Sequence, residues 1–264
     1  MTGYERYAAI RVEGPDAQGV VTVSFFGPGL HAVTAEAHRE LVDVWVDIAR
    51  DDRARAVIVR GEGEKAFSSG GSFDLVDAMI ASVEVRTRVL RETRELVRNI
   101  IDCPVPIVAA INGPAAGAGL VTAACADITI AGRGATIVDG HPRLGVASGD
   151  HAALVWPLLM SMAHAKYHLL LNEPIRGKEA ERIGMVSKCV DDDLVQSTAR
   201  EIAERLARGS QRGIRATKHA LNNWYRQNWS IFEASLGLEF YNFGEADVIE
   251  GVASFREKRD PRFS

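Results

Sequence analysis

The chain has 264 residues, of which 47% are hydrophobic and 25% charged, and its formal net charge is −4 at pH 7. That length suits one α/β domain or a core with a small appendage. The acidic balance, with no concentrated basic run, excludes a general nucleic-acid binder. Cys103, Cys125 and Cys189 are widely spaced and lack CxxC pairing. They are expected to be free thiols in a reducing cytoplasm, forming neither a disulfide frame nor a metal site. The N-terminal residues 1–11 are charged rather than apolar, and no apolar run is long enough to span a bilayer, so a cytoplasmic protein without a membrane partner is expected.

In chain order, residues 7–12 and 20–26 read as two short strands joined by a Gly14-Pro15-Asp16 turn. Thr34 is placed to cap a helix through Asp47, with Leu41, Val44, Trp45 and Ile48 on its apolar face. A strand over 56–60 follows. Residues 74–101 read as largely helical, with Val89, Leu90, Leu96, Val97 and Ile100 at helical spacing. A strand over 105–111, a helix through Ala126 and a strand over 128–131 continue the alternation, which points to a parallel sheet built from crossovers. Beyond Ala163 the pattern is mainly helical, over 163–171, 177–183, 193–207, 214–224 and 230–243.

Two glycine-rich corners stand out, each after an apolar strand. The first runs Ala66-Phe67-Ser68-Ser69-Gly70-Gly71-Ser72-Phe73, and the second Asn112-Gly113-Pro114-Ala115-Ala116-Gly117-Ala118-Gly119. Small residues let a ligand approach the backbone, and the first free N–H groups of a helix point outward. One N–H from each corner suffices to hold negative charge developing on an oxygen. Packing of helix on strand also demands small residues, so either corner alone has a second, purely structural reading.

The layout of these corners, followed by Glu179-Ala180-Glu181-Arg182-Ile183-Gly184 and by Glu250-Gly251-Val252-Ala253-Ser254-Phe255-Arg256, resembles the crotonase (enoyl-CoA hydratase/isomerase) superfamily from about Arg6 to the C-terminus. The resemblance implies an α/β fold, a crotonase-like spiral of ββα units over 1–172 with a C-terminal helical region over 173–264 that builds trimers or dimers of trimers. It also implies an acyl-CoA thioester substrate, with coenzyme A entering as part of the substrate and no separate cofactor. The backbone N–H groups of Gly71 and Ala118 become the oxyanion hole. Ala66, Ser68, Gly70, Ser72, Phe73 and Gly117 fall around it.

The departures from the family pattern matter more. Hydratases of this family carry two glutamates, and at those positions this chain has Val121 and His141. Val121 cannot move a proton, so the two-glutamate hydration is not expected. His141 takes an acid–base position, since imidazole exchanges protons near neutral pH. Asp150, after Gly149, is placed either to orient His141 or to cap the helix that follows. Asp139 either lines the pocket or hydrogen-bonds a turn. The His141–Asp150 spacing and Leu154-Val155-Trp156-Pro157 also resemble a branch of carbon–carbon bond hydrolases of β-dicarbonyl compounds. His38 matches a histidine of that branch, yet its helix position suggests a surface or interface residue. His151 has no matched role. Lys218, Lys258 and Phe255 are either coenzyme A partners or, for the lysines, solvated helix charges. Three functions follow, in order: an acyl-CoA enzyme, a β-dicarbonyl hydrolase that works without coenzyme A, and a catalytically silent subunit.

Overall fold

The computed structural model describes residues 3–264, so Met1 and Thr2 of the charged N-terminal stretch lie outside it. A six-stranded sheet organises the core. It holds β1 (Arg11–Glu13), β2 (Val20–Phe25), β3 (Ala56–Gly61) and β4 (Ile107–Ile111). A second, three-stranded sheet begins with β5 (Ala115–Ala116). The main sheet then continues through β6 (Ile128–Gly132), the small one through β7 (Thr136–Val138) and β8 (Ile175–Arg176), and β9 (Lys188–Val190) ends the large one. The large sheet has the order β1-β2-β3-β4-β6-β9, antiparallel only at β1–β2, and the small sheet β5-β7-β8. The expected parallel α/β spiral is therefore present.

The helices, in chain order, are a single turn α1 (Pro28–His31), α2 (Ala35–Arg50), α3 (Phe73–Ala81), α4 (Val83–Asp102) and α5 (Gly117–Ala124). After these come α6 (Ala152–Leu159), α7 (Met162–Leu170), α8 (Gly177–Ile183), α9 (Val195–Arg208), α10 (Gln211–Leu221), α11 (Asn223–Gln227), α12 (Trp229–Asn242) and α13 (Ala246–Glu257). β3 and β4 are apolar at nearly every position because both faces of the parallel sheet are covered. Ala56, Ile58, Val108 and Ala110 meet Val195, Ala199, Ala203 and Ala207, the small-residue stripe of α9. Val57, Val59, Ile107 and Ala109 face the larger cluster, where Leu41, Trp45 and Ile48 of α2 pack with Leu96 and Ile100 of α4. Burial at period two on the strands and near four on the helices produces both layers.

Some expected boundaries move. The strand expected over 7–12 survives only at β1, because the Glu40 carboxylate accepts from the N–H groups of Ala8, Ala9 and Ile10, each at 2.9 Å, and takes donors a strand partner would need. The single helix expected over 74–101 breaks at Ser82, whose hydroxyl caps α4 through the Val85 N–H at 3.2 Å while its own N–H closes α3. Cys103 and Cys125 are buried free thiols, and burial pushes the Cys125 thiol up to about 12. Among the described residues, no helix is long and apolar enough to cross a membrane.

Candidate active site

The two glycine corners meet. An isolated bridge joins Ser68 to Ala115, and another joins Val33 to Gly71. Gly70 and Gly117 both hold left-handed φ values, +86° and +43°. A Cβ at Gly70 would sit 3.2 Å from the Ala116 carbonyl, so backbone packs on backbone there. The bridge at Gly71 uses the Gly70 carbonyl and the Ser72 N–H and leaves the Gly71 N–H out. On the other corner Ala116 caps α5 without a side-chain bond, and the Gly117 N–H donates to the Asp139 carbonyl at 3.3 Å. The Ala118 N–H is thus a first-turn donor with no helix partner. Gly71 and Ala118 both line a cavity of about 520 Å³.

The same cavity is lined by His141, Asp139, Asp150 and Glu239. His141 follows β7 and opens a one-turn 3₁₀ segment at Pro142. Its Nδ1 lies 3.0 Å from Asp139 Oδ2, which also accepts from Ser148 Oγ at 2.6 Å. A carboxylate accepts only, so His141 carries a proton on Nδ1 and turns Nε2 toward the remaining acids. Nε2 stands 3.6 Å from Glu239 Oε1 and 4.0 Å from Asp150 Oδ2. Glu239 is fixed by the Gly149 N–H, which donates to Oε2 at 3.2 Å. Asp150 Oδ1 accepts from His151 Nδ1 at 2.6 Å, and the Trp156 indole N–H donates to His151 Nε2 at 3.4 Å, so both ring nitrogens of His151 are already committed.

These groups shift one another. Burial works against charge on His141, but the carboxylates of Asp139, Glu239 and Asp150 outweigh it and hold its pKa well above the usual 6.5. Burial also opposes charge on Asp139, yet the His141 ring and its hydrogen bond keep that carboxyl down at about 2. Asp150 lies below its ordinary value, held there against burial by the two histidines. Glu239 is pushed well above 4.5, first by burial and then by the neighbouring acids. The cluster thus holds its two aspartates toward the ionised form, His141 toward the imidazolium and Glu239 toward the protonated acid. Asp150 Oδ2, His141 Nε2 and Glu239 Oε1 lie within 4.8 Å of one another, a spacing that could also hold a divalent cation. Such an ion would occupy the nitrogen that acid–base chemistry needs.

The remaining sequence candidates divide. Gly70, Gly117, Val121, Phe73 and Phe255 line the cavity, and the two phenyl rings lie 5.9 Å apart. Ala66, Ser68, Ser72 and Gly149 do not line it. Ala66 is fully buried beneath the corners, Ser68 Oγ donates to the His31 carbonyl at 2.8 Å, and Ser72 caps α3. A Cβ at Gly149 would lie 2.2 Å from the Ser235 carbonyl, so that glycine lets α12 approach. Lys258 ends α13 as an exposed left-handed residue away from the cavity. Lys218 is no solvated charge: it is buried, bonded to the Val105 carbonyl at 2.9 Å and to Asp127 at 2.8 Å.

Two corrections concern the acid–base group itself. Asp139, not Asp150, holds the near nitrogen of His141, because His151 claims the inner oxygen of Asp150. Asp150 is not a helix cap either, since α6 has His151 at its N-cap with no side-chain bond. His38 is not a surface residue. It is 3% exposed and on the cavity wall, because α2 packs on α4 and Glu92 there gives its ring a partner. Glu239 escaped the sequence reading. Its signal was an acid standing on the apolar stripe of Phe232, Leu236 and Phe240 in α12.

The chain matches the family model for enoyl-CoA hydratase/isomerase over residues 16–264. The chain belongs to the enoyl-CoA hydratase/isomerase family. Among relatives, it is 30% identical to the 1,2-epoxyphenylacetyl-CoA isomerase of Escherichia coli, over 94% of this chain and 95% of that protein. Its structure superposes with a TM-score of 0.88 and 29% identity on an enoyl-CoA hydratase/isomerase from Mycobacterium paratuberculosis, covering 93% of this chain and 98% of that one. The fold is shared also with a β-diketone hydrolase from the cyanobacterium Anabaena, at a TM-score of 0.83 and 24% identity, covering 91% and 96% of the two chains. In this family member Val121 lies on the cavity wall and His141 stands at the centre of the acid cluster.

Proposed function

We propose that this family member acts on an acyl-CoA thioester through an enolate, with the Gly71 and Ala118 N–H groups holding the thioester oxygen and His141 and Glu239 moving the protons. One observation carries the reading: two unclaimed backbone donors and the His141–Glu239 pair open onto the same cavity. Two fixed donors aimed at a developing oxyanion contribute about 3–4 kcal/mol each to the transition state. A 2-enoyl thioester gains a proton at its α-carbon and a hydroxyl group at its β-carbon. The pair enters the step with one transferable proton between His141 Nε2 and Glu239. The member that holds it gives it to the α-carbon, the member that lacks it takes the proton of the attacking water, and the pair ends with one proton again. Asp139 is the positioning residue that fixes the ring.

The relatives' names support a coenzyme A thioester as substrate. Exposed Tyr167, Leu170 and Leu171 on and beyond α7, with Ile231 and Leu238 on α12, support assembly into trimers or dimers of trimers. Hydrolysis of a β-dicarbonyl compound is the second reading, favoured by an imidazole rather than a glutamate at the reacting position. The deciding experiment is exchange of α-protons of butyryl-CoA with heavy water, alongside loss of the enoyl absorbance of crotonyl-CoA. Exchange or turnover that disappears in His141→Ala supports the proposal. Neither one, together with cleavage of a β-diketone without coenzyme A, replaces it with the second reading.

A further inference from the structure

His38 is a buried ring on the cavity wall that the proton transfer above leaves unused. Six of the seven cavity residues carried by α3 and α4 are apolar, and the seventh is Thr93, beside His38. A polar pair in an otherwise apolar wall needs a partner, because a buried polar atom left unpaired is costly.

The hydrogen positions follow from the partners. His38 Nδ1 lies 2.9 Å from Glu92 Oε2, and Arg88 Nε also approaches that carboxylate, at 3.3 Å. The carboxylate accepts, so a proton is on Nδ1, and in the form of the ring that holds that one proton Nε2 bears a lone pair. Nε2 faces Thr93 Oγ1 at 3.5 Å, while the threonine hydroxyl donates to the Val89 carbonyl at 2.9 Å. In that form of the ring two acceptors face each other at the outer limit of hydrogen-bond distance.

We propose that His38 and Thr93 form a specificity-determining slot for a hydroxyl group on the acyl chain, away from the thioester. This slot rests on the acyl-thioester reading for its substrate. An O–H donor satisfies Nε2 and keeps its own oxygen against the apolar wall, whereas a methyl group leaves both acceptors unpaired. Ketone and ether oxygens bring no hydrogen and meet the slot lone pair to lone pair.

The test compares a medium-chain 2-enoyl-CoA ending in a hydroxyl with its partner ending in a methyl group. The wild type is expected to favour the hydroxyl form by at least about tenfold in kcat/KM. His38→Leu brings that ratio to about one, whatever its absolute rate, and Thr93→Val narrows it. Equal kcat/KM for the two substrates in the wild type overturns the slot while leaving the acyl-CoA reading intact. If neither thioester turns over, the functional reading fails, and binding of phenol against toluene decides the slot by itself. Tighter binding of phenol, with a nitrogen NMR shift at His38 Nε2, upholds it, and equal binding or an unmoved Nε2 overturns it. If His38→Leu loses its cooperative melt, Thr93→Val and the Nε2 shift decide the slot in the same way.

Discussion

The glycine corners and the His141 cluster line one cavity yet are built on opposite plans. The corners are backbone. Their requirement is that Gly70 and Gly117 turn through left-handed φ and that no side chain keeps the two loops apart. The cluster is side chains drawn from β7, the loop before α6 and α12, and each group depends on the charge state of the next. A backbone device is written locally and fails through shape. A side-chain cluster is assembled from afar and fails through charge.

The largest effect that separates the two plans should come from the ring. His141→Ala is expected to lower kcat by about 10²–10⁴-fold, with acyl-CoA affinity by calorimetry changed only a few-fold. An equal loss of affinity would mean that the ring binds rather than reacts. Asp139→Asn should follow closely, because it frees the His141 tautomer, and Asp150→Asn should cost less. The reverse order in kcat would restore Asp150 as the orienting group.

Stability tests come next. Lys218→Met leaves Asp127 without its buried partner and is expected to cost about 3–5 kcal/mol of unfolding free energy, with coenzyme A affinity unchanged. Weakened coenzyme A binding in a folded variant would return Lys218 to the ligand. At the corners, Gly70→Ala forces a side chain into left-handed backbone and should cost about 1–3 kcal/mol. Gly71→Ala, whose new Cβ meets nothing within 4 Å, should stay within about 0.5 kcal/mol. Equal denaturation midpoints for the two would mean that the corner relaxes.

The smallest effect is a slope. His141 has a folded pKa above 6.5, so its stabilising share is complete below that value and is lost as pH rises through the folded pKa. Glu239 keeps its proton in the fold above 4.5, where the unfolded chain has lost it, so stability falls in the same direction. Denaturation midpoints should therefore decline as pH rises past 4.5 on account of Glu239 and past 6.5 on account of His141, and Glu239→Gln should flatten the first part of that decline. A slope unchanged in Glu239→Gln would mean that Glu239 is ionised in the fold.

The sheet, the helix over 193–207 and the two corners were legible in the sequence because each is a local pattern. Apolar runs such as Val57, Ile58 and Val59 have nowhere to go except a covered strand, and Gly70 and Gly117 accept a φ that other residues resist. The short strands β5, β7, β8 and β9 were not legible, since two or three residues carry no period. Thr34 announced α2 by its cap, whereas nothing before Ser82 announced the break in the long helical pattern.

For the site, sequence by itself determined that an imidazole, His141, and an aliphatic side chain inert to protons, Val121, stand among the candidates. Only the tertiary structure decided which acid holds which nitrogen. Along the chain Asp150 was the expected partner and Asp139 a pocket or turn residue, and the role passed to Asp139 when His151 took Asp150. Glu239 and His38 were decided there too, because a helix pattern reveals that a residue faces inward but not what it will face. Charge acts through space over a few ångströms, and only folding brings α12 and α4 within that distance of the spiral.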